Sequence, residues 1–290
     1  METLVIIGAS NVTLSLPVIW AGVAGSSSPR RLLVAAGHGR SFALPNTVLG
    51  RMLPSILECG LWNALGDLVS FDEAAGRREP NREGLPVGWV SDLTTTKSGV
   101  GTESQPAIPN GEPTKALITD VGNDILYGAS VGQIVGWVRE CVARLQGLGV
   151  ETRMTHLPLD SLRSLSRRRF LFFRKLLFPA SVLSYEAALS SAEELDAALA
   201  ELSVTAGLER AAPQPHWYGL DPIHIRRRAR PEAWRQFLAP LVEGFSPRHP
   251  GPLAQQRVWI QKAAVRWRGS REFVTPQPCL TEGSTELWLF

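Results

Sequence analysis

The chain has 290 residues, of which 44% are apolar and 20% are charged, and its formal net charge is +3. This composition predicts a folded protein with a substantial core and excludes an intrinsically disordered chain. The three cysteines are widely separated and form no CxxC pair, so they predict neither a disulfide framework nor a zinc site.

Other features of the sequence narrow the class of protein further. No uninterrupted apolar run approaches about 18 residues, so no membrane-spanning helix is predicted. The first residues enter an apolar segment directly, without a basic stretch or a small-residue cleavage signal, and we therefore expect a cytoplasmic protein. The small net charge argues against a nucleic-acid partner.

Short apolar segments that end in glycine or polar turns predict the strands of a parallel sheet. They are residues 4–7, 32–36, 116–121 and 151–157. Helices are predicted at about 12–24, 42–58, 130–146, 191–207 and 231–243. The alternation of the two patterns predicts an α/β fold with helices on both faces of the sheet.

Two segments depart from this alternation. Residues 64–115 are dominated by Gly, Pro, Thr, Ser and charged residues, which predicts a loop insertion over the sheet. Residues 251–290 predict a C-terminal extension that forms a β hairpin or a sheet edge. The remainder, residues 1–250, is expected to be one catalytic domain.

Polar turns follow the first three predicted strands, at Ser10, Gly39 and Asn123. Ligands of open parallel sheets bind at the carboxyl ends of the strands, so we expect these turns to meet. Ser10 stands where a strand passes into a helix and is the candidate nucleophile. The N–H groups of Ser10 and Gly39 and the side-chain amide of Asn123 are the candidate oxyanion donors.

Near residue 220, a carboxylate and an imidazole lie three residues apart, as Asp221 and His224. On one helical turn this spacing would place both side chains on the same face. Asp221 would then fix the histidine tautomer, and the other ring nitrogen of His224 would face Ser10 as the general base.

These segments together resemble the sequence blocks of the SGNH hydrolase superfamily, also called GDSL esterases and lipases. The matching segments are Gly8–Asn11, Gly37–Ser41, Gly122–Asp124 and Asp221–His224. The resemblance implies a flavodoxin-like three-layer α/β/α sandwich with a central parallel sheet. It also implies a triad of Ser10, His224 and Asp221, and ester chemistry without a metal or an organic cofactor.

Two positions depart from the family pattern. Ala9 stands where the GDS signature has Asp, and Asp120 stands where the GxND block would have Gly. The second change raises the question whether the loop that carries Asn123 is still correctly aimed. The spacing also leaves Gly37 as an alternative to Gly39.

Each candidate has a structural alternative. Ser10 could cap the following helix, Asn123 could stabilise a turn, and the pair Asp221 and His224 could be a helix cap beside a surface histidine. Ser130 lies in a GxSxG pattern typical of the nucleophile elbow of α/β-hydrolases, but a strand should precede that motif directly. We therefore interpret Ser130 as a helix cap.

The segment 161–178 interleaves six basic residues with leucines and phenylalanines. We favour a crossover helix with a solvated basic face over a peripheral membrane contact. The predicted function is a serine esterase, with a small O-acyl group on a sugar or other metabolite as the favoured substrate. The alternatives are an acyltransferase or lipase of the same fold, or a catalytically silent binding module for an anionic lipid or glycan.

Overall fold

A computed structural model of the chain describes residues 1–26, 30–36, 61–70, 113–268 and 271–290. Most strands of these residues join a single mixed sheet. The strands are β1 (Glu2–Gly8), β2 (Arg30–Ala36), β3 (Thr114–Ile118), β4 (Glu151–Thr155), β5 (Glu209–Ala211), β6 (Val265–Arg268), β7 (Arg271–Val274), β8 (Leu280–Glu282) and β9 (Thr285–Leu289).

The main sheet of the described residues has seven strands in the order β5-β4-β3-β1-β2-β9-β8. All neighbouring strands in it are parallel except β8, which runs antiparallel to β9 at the edge. The portion β2-β1-β3-β4-β5 has the flavodoxin-like order, which reverses direction between β1 and β3. In such sheets the ligand crevice lies beyond the carboxyl ends of the strands at this reversal.

Helices cover both faces of the sheet. They are α1 (Ser10–Ala24), α2 (Leu61–Ser70), α3 (Asn123–Leu126), α4 (Val131–Gly147), α5 (Leu159–Arg163), α6 (Arg167–Leu177), α7 (Tyr185–Ala206), α8 (Arg230–Leu238) and α9 (Pro252–Trp259). One buried cluster joins β1 to α2, α4 and α7, and a second joins it to α1, α8 and α9. The predicted three-layer α/β/α sandwich is thereby confirmed.

The strand β1 lies at the centre because four consecutive side chains, Leu4 to Ile7, are apolar. Val5 and Ile7 enter the first cluster, whereas Leu4 and Ile6 enter the second. Both faces of the strand are buried. Removing each of these apolar side chains from water stabilises the fold by roughly 1.5–3 kcal/mol. The register with β2 and β3 extends to the last residues of β1, so the turn after Gly8 starts from a fixed position.

Several elements differ from the sequence predictions. The third strand ends at Ile118 rather than Val121, and α7 begins at Tyr185, before the predicted start. The elements α2, α3, α5, α9 and β5 were not predicted. In α2, residues 64–70 are helical where the loop insertion was predicted to begin. The predicted helix 42–58 and most of the insertion 64–115 lie outside the described residues.

The chain after residue 250 contributes directly to the main sheet. It supplies α9, the separate antiparallel pair β6 and β7, and the strands β9 and β8, of which β8 forms the edge of the main sheet. Leu33 of β2 is opposite Trp288 of β9 in a parallel register. Within the described ranges, no helix has the length and apolar character that a membrane span requires.

Candidate active site

Ser10 lies at the junction of β1 and α1. It is the first residue of the helix, and the side chain of the preceding N-cap residue, Ala9, forms no capping hydrogen bond. The Ser10 hydroxyl instead lies 2.8 Å from Nε2 of His224. A Cβ atom on Gly8 would lie 2.4 Å from Cγ2 of Val12, so the close approach of strand and helix requires glycine at this position.

The structure brings Asp221 and His224 together, but on a bend and not on a helix. The predicted helical turn is therefore wrong. Oδ1 of Asp221 accepts hydrogen bonds from the N–H groups of Ile223 at 3.0 Å and His224 at 3.3 Å. Such bonds from an Asp side chain to the following backbone compete with helix formation.

The second oxygen of Asp221 faces the imidazole ring of His224. Its distance to Nδ1 is 2.5 Å, and both side chains are largely shielded from solvent. Burial by itself raises the pKa of Asp221, but the hydrogen bonds from the His224 ring and the two N–H groups outweigh it and hold the pKa below its ordinary value. The carboxylate therefore stays ionised beside the ring.

Asn11 fixes the position of Ser10 relative to the histidine loop. Its Nδ2 donates to Oδ1 of Asp120 and to the carbonyl oxygen of Ile223, both at 2.8 Å. Its Oδ1 accepts from the N–H of Ile225, also at 2.8 Å. One buried side chain thus joins three segments, a role that sequence reasoning missed although Asn11 belongs to the first matching block.

Asp120 holds the same turn from the neighbouring strand. Its Oδ2 accepts from the N–H groups of Ala9 at 3.3 Å and Asn11 at 3.0 Å. Its φ of 61° lies in the left-handed region, which Asp tolerates better than most residues. Burial raises the pKa of Asp120, although its hydrogen bonds and the nearby His224 partly offset this effect. Our placement of Asp120 at the glycine position of GxND was wrong, because that position, two residues before Asn123, is Val121.

Of the three predicted oxyanion donors, the structure describes Ser10 and Asn123 but not Gly39. Asn123 is the first residue of α3, next to Gly122, and it lines a pocket together with Asn11 and Asp120. Within the described residues, neither its side-chain amide nor the N–H of Ser10 takes part in a hydrogen bond. Gly37 and Gly39 lie outside the described residues, so the role of Gly39 stays a prediction.

An apolar pocket begins at Asn11, Asp120 and Asn123. It runs past the end of β4 and between α6 and α7. Its apolar walls include Leu126, Leu157, Leu162, Phe170, Leu189 and Phe237. This space can accept a hydrocarbon group next to the polar atoms of the candidate site.

Ser130, the competing nucleophile, is the N-cap of α4. Its Oγ accepts from the N–H of Gln133 at 3.3 Å, and the Gln133 side chain bonds back to the N–H of Ser130. This capping box confirms our interpretation of the GxSxG pattern. No group of three His, Cys, Asp or Glu side chains in the part of the chain that the structure describes is arranged to hold a metal ion.

No protein-family model matches the chain, and no curated protein sequence matches it. Among solved structures, the chain is similar to the psychrotrophic esterase EstA from Pseudoalteromonas sp., in a form inhibited by monoethylphosphonate. The likeness covers 81% of this chain and 93% of that chain, with 12% sequence identity and a TM-score of 0.38. So low a TM-score supports no inference about function.

Proposed function

We propose that this protein is an ester hydrolase of the SGNH type that uses Ser10, His224 and Asp221 as a catalytic triad. One observation carries the proposal: two consecutive hydrogen bonds, from Ser10 Oγ to His224 Nε2 at 2.8 Å and from His224 Nδ1 to Asp221 Oδ2 at 2.5 Å. The nucleophile, the base and the orienting carboxylate thus stand in the order that acyl transfer requires.

In the acylation step, Nε2 of His224 accepts the hydroxyl proton while Ser10 Oγ bonds to the carbonyl carbon of the ester. His224 then gives this proton to the alcohol oxygen as the bond between carbon and alcohol oxygen breaks. A water molecule next transfers a proton to His224 and attacks the acyl-enzyme, which releases the carboxylic acid and restores Ser10. Asp221 keeps the proton on Nδ1, so that Nε2 is free to act as the base.

The negative charge on the carbonyl oxygen needs donors that are not already engaged. We propose the N–H of Ser10, the side-chain amide of Asn123 and the N–H of Gly39 for this role. The first two make no hydrogen bond within the described residues, and the N-terminus of α1 adds a favourable dipole. Loss of one such donor typically lowers the rate by about 100-fold to 1000-fold.

The pocket favours an ester with an apolar acyl group. Sequence reasoning favoured a small O-acyl group on a sugar or metabolite, but such a group would leave most of the apolar wall near Leu162 and Leu189 unfilled. Each buried CH₂ contributes about 0.8 kcal/mol to binding, so a longer chain would use this surface. We therefore propose a medium or longer acyl chain, with the alcohol part of the ester unassigned.

The test is covalent labelling with a fluorophosphonate probe, followed by peptide mass spectrometry. We expect labelling at Ser10 that is lost in Ser10→Ala and in His224→Ala. Ser130→Ala is the matched control and should label like the unaltered chain. Labelling at Ser130 would assign the protein to a different hydrolase type, and no labelling would favour a silent binding module. Product analysis with added alcohol acceptors separates hydrolysis from acyl transfer.

A further inference from the structure

The helix α6 has an unusual outward face. Residues 168, 171, 172, 175 and 176 follow the spacing i, i+3, i+4, i+7 and i+8, so they lie on one side of the helix. Three of them are apolar and exposed: Leu171 at 41%, Phe172 at 62% and Leu176 at 49%. Within α6 the described burial is limited to Phe170, on the opposite side. The solvated face is thus not simply basic, as the sequence had suggested.

Cations flank these apolar side chains. Five of the eleven residues of α6 are Arg or Lys, and none is acidic. Arg168 and Lys175 belong to the outward face, and neither forms an ion pair among the described residues. Arg167 has an exposed partner, Glu186, at 3.8 Å. The surface therefore combines apolar side chains with a local excess of positive charge.

The same helix is connected to the candidate active site. Phe170 lines the apolar pocket from its inner side. The guanidinium of Arg169 donates to the carbonyl oxygens of Gly219 at 3.0 Å and Leu220 at 2.7 Å, directly before Asp221. The outward face of α6 is thus separated from the pocket by the thickness of one helix.

We propose that α6 docks this protein on an anionic membrane surface. Leu171, Phe172 and Leu176 would enter the boundary between headgroups and acyl chains. Arg168 and Lys175 would extend toward the lipid phosphates while their hydrocarbon stems stay in apolar contact. An apolar patch bordered by cations fits such a surface better than a neutral one, because each cation near anionic lipid adds attraction. This docking does not depend on the proposed esterase activity.

Sedimentation with lipid vesicles tests the proposal on the full chain. We expect binding to phosphatidylcholine vesicles that contain about 30% phosphatidylglycerol and much weaker binding to phosphatidylcholine alone. Raising the ionic strength from about 0.1 M to about 1 M shortens the Debye length from roughly 10 Å to 3 Å and should release most of the bound protein.

Matched variants locate the surface. Phe172→Ser should weaken vesicle binding by about tenfold or more, because the phenylalanine side chain that would enter the bilayer is lost. Val204→Ser removes a side chain that is 83% exposed on another helix and should change nothing. Lys175→Gln should weaken binding by about fivefold, whereas Arg139→Gln on α4 should not. Ser10→Ala should bind like the unaltered chain, so this result stands apart from that of the labelling test.

Other outcomes would overturn the proposal. They are absence of binding to any vesicle, equal binding to neutral and anionic vesicles, and equal effects of Phe172→Ser and Val204→Ser. Loss of binding in Trp259→Ser, with α6 variants unaffected, would assign the contact to the exposed side chains of α9. Concentration-dependent dimers that disappear in Phe172→Ser, without vesicle binding, would show that the face binds protein.

Discussion

Replacement of Asp221 by Asn tests the proposed triad, because the structure determines how the new amide group would be oriented beside His224. The N–H groups of Ile223 and His224 both point at Oδ1 of residue 221. The amide oxygen of Asn must therefore stay at this position, and its NH₂ group must face Nδ1 of His224. Nδ1 then has to accept a hydrogen bond, which places the ring proton on Nε2, opposite Ser10. The base would be held in the wrong tautomer.

The expected effect of Asp221→Asn on the rate is large. The same exchange in the triad of a trypsin-type protease lowers kcat by about 10⁴-fold with the geometry intact. We expect a loss of kcat/KM of this order with a p-nitrophenyl ester. The fold should be retained, because the two backbone hydrogen bonds are kept and the stability lost is limited to the contribution of the ionised carboxylate. Steady-state kinetics and urea unfolding measure the two quantities separately.

The matched control for this prediction is Glu232→Gln. Glu232 forms a hydrogen bond of 2.9 Å with Nε2 of His216, on the protein surface and away from Ser10. The Glu232→Gln change removes a carboxylate from a histidine that has no candidate nucleophile nearby, so kcat/KM should not change. A loss of less than about tenfold in Asp221→Asn, or an equal loss in Glu232→Gln, would refute the assignment of His224 as an oriented base.

Three further predictions follow from the same contacts. Gly8→Ala should destabilise the fold by about 1–3 kcal/mol and slow fluorophosphonate labelling, because its Cβ would meet Val12; Gly132→Ala, with open space around its Cβ, should do neither. Leu189→Trp should lower kcat/KM for an octanoate ester by about tenfold more than for an acetate ester, and equal losses would argue against the acyl pocket. The lowered pKa of Asp221 stabilises the fold above its unfolded pKa of about 3.9, and this contribution is lost as the pH falls through the folded pKa. The unaltered chain should therefore have a higher free energy of unfolding than Asp221→Asn near neutral pH. This difference, measured by urea unfolding at several pH values, should shrink below about pH 4.

The parts of the fold that the sequence could predict are those with a local signal. Buried strands such as β1 and β2 are continuous apolar runs, and α4 has both an apolar stripe and a capping serine. The strand β5 has three residues, and α3 has four, so neither contains enough residues for a periodic pattern. Local pattern also suggested a helix at Asp221, because it does not reveal that the side chain bonds to its own backbone.

The residues of the candidate site also differ in whether a local motif could predict them. Ser10 and His224 could be predicted because each stands in a recognisable local motif, although they are 214 positions apart. Asn11 could not be assigned its role, because its partners Asp120 and Ile223 lie 109 and 212 positions away. Hydrogen bonds over such separations depend on the sheet order, and a single sequence does not specify which strand ends become neighbours.

Ala9 and Asp120, the two positions that raised questions in the sequence, meet in the structure. Ala9 offers no carboxylate to the turn at Ser10, and Asp120 brings one to the same turn from the end of β3. Because β1 and β3 are adjacent and parallel, a residue just beyond β3 can reach the N–H groups on both sides of Ser10. Asp120 accepts from Ala9 and Asn11, and the N–H of Ser10 itself, the proposed oxyanion donor, stays disengaged within the described residues. Asp120, which first raised a question about the Asn123 loop, thus contributes a side chain that orders the turn at Ser10.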